Sequence, residues 1–258
     1  MKPLAELPAA ATRALLFDID DTLTTDGKLT AEAYAALECL HGTGRLTVAV
    51  TGRPAGWCDH IARMWPVDAV VGENGAFYFR YHAGRLHKVY WDSADARARN
   101  RERLAAITAR IVAAVPGCAL AADQPYRETD LAIDYCEDVP ALPLAQAERI
   151  AELMRAAGLH AKLSSIHVNG WFGDYDKLAM SRRLFASEFK LELDRDRDAV
   201  VYVGDSPNDA PMFDFFPRSV GVANIARFAG LIATPPKYVS RASCGAGFAE
   251  VVARLLAS

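Results

Sequence analysis

Short apolar runs recur along the chain, and several stop at a polar group. ALLF at 14–17, LTVAV at 46–50, DAVVG at 68–72 and AVVYVG at 199–204 are continuous rather than alternating. That is the pattern of strands covered on both faces. Helical patterns lie between them. Thr30 caps AEAYAALECLH, which Gly42 closes, and Pro54 opens a helix through about Met64. Further helices are predicted over 176–189, 208–215 and 246–256, with SVGVA at 219–223 as another strand. Strands alternating with helices at this spacing predict an α/β fold, a doubly wound, Rossmann-like parallel sheet with helices on both faces. Asp26-Gly27 reads as a tight turn, so the segment after Asp21 folds back as a small flap.

The pattern changes near Tyr81. GRLHKVYW reads as a strand, and Ser93 opens a long arginine-rich helix that Pro116-Gly117 ends. DLAIDY alternates as a half-buried strand, LAQAERIAELMRAAG is an amphipathic helix, and HAKLSSIHVNG is strand-like again. This succession predicts an inserted α/β cap domain over 81–170, with 1–80 and 171–258 forming the core.

The 258 residues are 52% hydrophobic with a formal net charge of −3. A sizeable core is available, and no global charge favours nucleic acid or an anionic membrane as partner. No run approaches the roughly 18 apolar residues of a membrane span. Glu6 and Arg13 interrupt the apolar letters of the N-terminus, unlike a secretory signal. Five scattered cysteines without a C-x-x-C pair read as free thiols, which suggests a cytoplasmic protein. RARNRERL in the first cap helix is interrupted by Glu102 and lacks interleaved aromatics, so it reads as a solvated face.

The chemistry sits where the buried runs end. Phe17 leads to Asp18, Val50 to Thr51, and Val203 to Gly204-Asp205. Parallel strands bring these ends to one edge, where doubly wound sheets bind ligands. Carboxylates there, without accompanying His or Cys, favour a hard cation such as Mg²⁺, which keeps waters and takes substrate phosphate. Asp18 and Asp205 are the candidate ligands. Asp18 and Asp20, two apart on extended chain, face the same crevice, while Asp21 points elsewhere.

DIDDT at 18–22, VAVTGRP at 48–54, the lysine of GDYDKLAM at 173–180 and GDSPNDAPMF at 204–213 together resemble the four motifs of the haloacid dehalogenase-like (HAD) phosphotransferases. An insert between the threonine and lysine motifs resembles the Cof-like subfamily IIB, with its α/β cap. The sequence departs from the commonest form in carrying Asp21 where many relatives have glycine. The resemblance implies a Mg²⁺-dependent phosphatase of a small phosphorylated metabolite, with a sugar phosphate as the first expectation. Asp18 would be the nucleophile and Asp20 the acid/base, its carbonyl also binding metal. Thr51 and Lys177 would complete the catalytic set, with Gly52 and Asn208 contacting phosphate and Asp209 helping to hold the metal. Arg127 in DQPYRETD and His167 in SSIHVNG are candidate substrate contacts from the cap, and Asn74 in GENGA either contacts substrate or accommodates a left-handed turn. A hexose-phosphate phosphomutase and a non-hydrolytic phosphoacceptor or binding protein are the alternatives. A monomer or homodimer is expected.

Overall fold

The structure, a computed structural model, describes residues 1–257. Its elements in order are β1 (Lys2–Pro3), β2 (Ala14–Phe17), α1 (Ala31–His41), β3 (Leu46–Val50), α2 (Ala55–Met64), β4 (Ala69–Gly72), β5 (Phe77–His82), β6 (Arg85–Tyr90), α3 (Ala94–Ala114), β7 (Ala119–Leu120), β8 (Leu131–Asp134), α4 (Leu144–Ala156), β9 (His160–Leu163), β10 (His167–Trp171), α5 (Lys177–Leu184), α6 (Leu193–Asp196), β11 (Val200–Gly204), α7 (Ala210–Phe215), β12 (Ser219–Gly221), β13 (Tyr238–Val239) and α8 (Cys244–Leu256). Thr30, Ser93 and Asp176 cap α1, α3 and α5 by accepting a backbone N–H three residues on.

The large sheet has the order β1-β13-β12-β11-β2-β3-β4-β5-β6. It is parallel from β1 to β4. Its central strands are buried apart from Leu46 at the start of β3, as their unbroken apolar runs require. Leu15, Phe17 and Val203 face α1, α2 and α8, while Leu16, Val48 and Tyr202 face α5 and α7. Val203 pairs with Phe17 and Phe17 with Ala49, so β11, β2 and β3 end side by side. No helix among the described residues is long and apolar enough to cross a membrane.

The second sheet, β7-β8-β10-β9, is antiparallel. Leu131, Ile133 and Val168 turn one face towards Leu104, Ile107 and Ile111 of α3 and Ile150 and Met154 of α4. The period of two then sends His167 and Asn169 to the opposite face, where they line a chamber shared with core residues. HAKLSSIHVNG is thus a hairpin of two strands, β9 and β10.

One boundary needs correcting. The strand expected to open the cap at about Tyr81 is β6, and it belongs to the large sheet, paired antiparallel to β5 from Phe77–Tyr90 to His82–Arg85. The physical reason is local. Phe77 stacks on Phe79, Tyr90 packs against both rings, and Lys88 reaches Asp59 of α2 at 3.2 Å. The hairpin is glued to the core before the chain departs into α3.

Candidate active site

Asp18 follows β2, and its backbone N–H donates to the Val203 carbonyl at 2.9 Å, tying the first carboxylate to the neighbouring strand. Lys177, the first residue of α5, is 1% exposed. Its ammonium donates to Asp18 Oδ1 at 2.7 Å and to Asp209 Oδ1 at 2.6 Å. Asp205 follows β11 and is fully buried. One oxygen each of Asp18, Asp205 and Asp209 lie within 4.8 Å of one another.

Three buried carboxylates against one ammonium leave negative charge uncompensated. Burial pushes the Asp18 carboxyl up to about 8, with Lys177 opposing the rise and Asp209 and Asp20 adding to it. Asp205 is likewise raised by burial and then by Asp18 and Asp209, and Lys177 is raised because the charges of Asp18 and Asp209 outweigh its desolvation. Asp205 Oδ2 accepts the Asn224 amide at 3.0 Å, whereas Oδ1 is buried without a partner. A buried orphan acceptor in an all-oxygen acidic cluster fits a hard divalent cation.

Asp209 is the most heavily hydrogen-bonded of the three carboxylates. Its Oδ1 accepts Lys177 and the Tyr202 hydroxyl, at 2.5 Å, and its Oδ2 accepts the N–H groups of Asp205 and Ser206. Those four bonds use the carboxylate's acceptor capacity, so it orients the Asp205 loop. Gly204 permits this: a Cβ there would stand 2.3 Å from Asp209 Oδ2.

Asp20 is gripped by Arg53, whose Nε lies 2.9 and 3.0 Å from the two carboxylate oxygens and whose Nη2 lies 2.8 Å from Oδ1. Trp57 covers the Arg53 guanidinium, with its ring centroid at 4.2 Å. Thr51 is buried, and its hydroxyl accepts the Arg53 N–H at 3.0 Å. Asn208 accepts the Ser206 hydroxyl and donates to Asn74, whose own amide nitrogen is left unpartnered in the interior. Asn74 does adopt a left-handed conformation, with φ of 55°. Asp21 is left-handed too and points at Arg227.

The cap closes this edge. Asp18, Asp20, Gly52, Arg53 and Asn208 from the core share with Arg127, His167 and Asn169 from the cap a chamber of about 10 Å³. That holds about one water, so a phosphoryl group needs the cap to move. Arg127, a candidate substrate contact, lines the chamber and is heavily engaged by protein acceptors. Its guanidinium nitrogens are taken by Asp123, Asp130 and the Gly52 carbonyl, making it a strut between cap and core. His167 lies with Nε2 2.9 Å from Glu137 Oε2.

Three residues escaped the sequence reading. Arg53 was visible in TGRP as a cation two residues after the threonine, and only its distant partners were hidden. Glu137 joins Arg53 at 2.7 Å and carries no local signal in CEDVP. Glu73 is a fully buried core carboxylate accepting the N–H groups of Ala55, Glu128, Thr129 and Asp130 and the Thr129 hydroxyl.

The sequence of residues 15–96 matches the family model of haloacid dehalogenase-like hydrolase. Over that third of its length the chain is similar to this family. A search of curated proteins finds no match. Among solved structures, a HAD/Cof-like hydrolase from Plasmodium vivax is similar at 17% identity and a TM-score of 0.70, over 97% of each chain. The C-terminal domain of Candida albicans trehalose-6-phosphate phosphatase is similar at 15% identity and a TM-score of 0.70, over 96% of this chain and 92% of that one. A HAD subclass IIB sugar phosphatase is similar at 15% identity and a TM-score of 0.61, over 89% and 93%. At these identities the likeness concerns the fold alone.

Proposed function

We propose that the protein is a Mg²⁺-dependent phosphatase of a small phosphorylated metabolite, a sugar phosphate by analogy with the sugar phosphatases of similar fold. The observation that carries this reading is the buried convergence of Asp18, Lys177 and the orphaned Asp205 oxygen at one sheet edge. Asp18, Asp205 and the Asp20 carbonyl would hold the ion, which supplies positive charge to the phosphoryl oxygens.

The protein's own groups account for the rest. A carboxylate oxygen of Asp18 forms the bond to phosphorus as the bond to the leaving oxygen breaks, giving an aspartyl-phosphate. Lys177 lowers the repulsion between attacking carboxylate and phosphate. Asp20 delivers its proton to the departing oxygen, and Arg53 stabilises the carboxylate so produced. Asp20 then takes a proton from the water that attacks phosphorus, which frees Asp18 and releases phosphate. Thr51, Gly52 and Asn208 would hold phosphoryl oxygens. Closure of the cap excludes bulk water during attack.

A screen of phosphorylated metabolites for Mg²⁺-dependent phosphate release tests the proposal, with Asp18→Asn as control. The variant loses turnover to background. Undiminished release by the variant removes Asp18 as nucleophile, and isomerisation of a hexose phosphate without phosphate release makes the protein a mutase.

A further inference from the structure

Beside the phosphoryl chamber, and sharing Asp20 and Arg53 with it, is a cavity of about 320 Å³. This is near the lower end for small-molecule sites, a volume suited to one small leaving group. Its charged lining is four carboxylates, Asp20, Asp21, Asp26 and Glu137, and two guanidiniums, Arg53 and Arg227. Neither cation is unpaired: Arg53 serves Asp20 and Glu137, and Arg227 lies 3.4 Å from Asp21. Glu137 is the cap's contribution. One oxygen takes Arg53 at 2.7 Å, the other lies 2.9 Å from His167, and the side chain keeps 27% of its surface exposed. Burial raises its carboxyl, but the His167 bond and the Arg53 charge outweigh this and hold it down at about 2, so it stays ionised.

We propose that Glu137 is the specificity-determining residue of this cavity, accepting hydrogen bonds from the hydroxyls of an uncharged polyol leaving group and excluding leaving groups that carry a second negative charge. Each carboxylate oxygen retains acceptor capacity beyond its one protein partner. An added anion meets four fixed carboxylates against two guanidiniums, each already facing a carboxylate, the like-charge juxtaposition that suppresses wrong ligands. The inference rests on the phosphatase reading.

Two matched pairs test it with Mg²⁺ present: glucose 6-phosphate against 6-phosphogluconate, and glycerol 3-phosphate against 3-phosphoglycerate. Wild-type kcat/KM favours the neutral leaving group by about tenfold or more in each pair, and Glu137→Gln narrows that ratio. Equal kcat/KM within the wild-type pairs overturns the assignment without any variant. An unchanged ratio in Glu137→Gln overturns it too, while hydrolysis itself stands. Absence of phosphate release from every ester, p-nitrophenyl phosphate included, overturns the phosphatase reading and this inference with it.

Discussion

Removing divalent cations makes the stability of this protein fall as pH rises from about 4 to 8, and Mg²⁺ reverses that fall at the upper end. The Asp18 carboxyl, pushed up to about 8 by burial against Lys177's opposing charge, keeps its proton in the fold after an unfolded aspartate near 3.8 has lost it. The folded state then binds more protons, and each retained proton costs about 1.4 kcal/mol of stability per pH unit through that window. Asp205, raised for the same reason, adds to the slope. Glu73, pushed up to about 7 by burial and then by Asp130, adds to it as well, but lies outside the proposed metal site. Bound cation compensates the ionised Asp18 and Asp205 together, and at a hundred times its dissociation constant contributes about 2.7 kcal/mol. In a chain of this size that is a rise in Tm of about 5–10 °C. Thermal unfolding is followed at pH 5 and pH 7.5, in EDTA and in excess Mg²⁺, for the wild type and Asp205→Asn. The shift is large at pH 7.5, small at pH 5, and lost in Asp205→Asn. A Mg²⁺ shift equal at the two pH values, or one that survives Asp205→Asn, refutes the cluster as a cation site.

Lys177→Met strands Asp18 and Asp209 without their shared ammonium. Phosphate release falls by about 10³, and denaturant titration at neutral pH shows a loss of about 3–5 kcal/mol. Gly75→Ala perturbs the same lysine from a distance: φ at Gly75 is +109° and an added Cβ would stand 2.0 Å from the Asp176 carbonyl. Displacing the start of α5 lowers kcat by about 10², and an unchanged kcat shows that Lys177 need not be held so tightly. Glu73→Gln leaves some of the N–H groups at 128–130 without an acceptor, costing about 1–3 kcal/mol and raising amide hydrogen exchange at those positions above that of β2.

The core was readable because its signals are local. An unbroken apolar run ending in Asp or Thr is a property of consecutive residues, so β2, β3 and β11 and the polar groups at their ends follow from sequence alone. The hairpin of β5 and β6 was harder. Its half-exposed pattern suits the edge of either sheet, and the aromatic packing of Phe77, Phe79 and Tyr90 that decides the matter is tertiary. Arg127 illustrates a different limit. An arginine two residues before a threonine and three before an aspartate looks available for substrate, and only the fold brings the Gly52 carbonyl to it across 75 positions. Glu137 and Arg53 are 84 positions apart, and no spacing rule connects them.

These long-range contacts divide the cap interface into parts of unequal strength. Glu73 is buried and accepts five bonds, four of them from backbone N–H groups and three of those four from residues 128–130. Separating it from those groups would leave the carboxyl and several amides unpaired in the interior, a cost of several kcal/mol. The Arg53–Glu137 pair differs, because Glu137 is already 27% exposed and faces a water-accessible cavity. Opening there returns Glu137 to solvent and leaves Arg53 still paired with Asp20, so less is stranded in the interior than at Glu73. A cap that must lift to admit a phosphoryl group therefore lifts at Glu137 and pivots near residues 128–130. Arg53 belongs to both halves of that motion. The guanidinium released by Glu137 on opening is the one that holds Asp20, so under the proposed mechanism closure over a substrate and orientation of the acid/base carboxylate would be a single event.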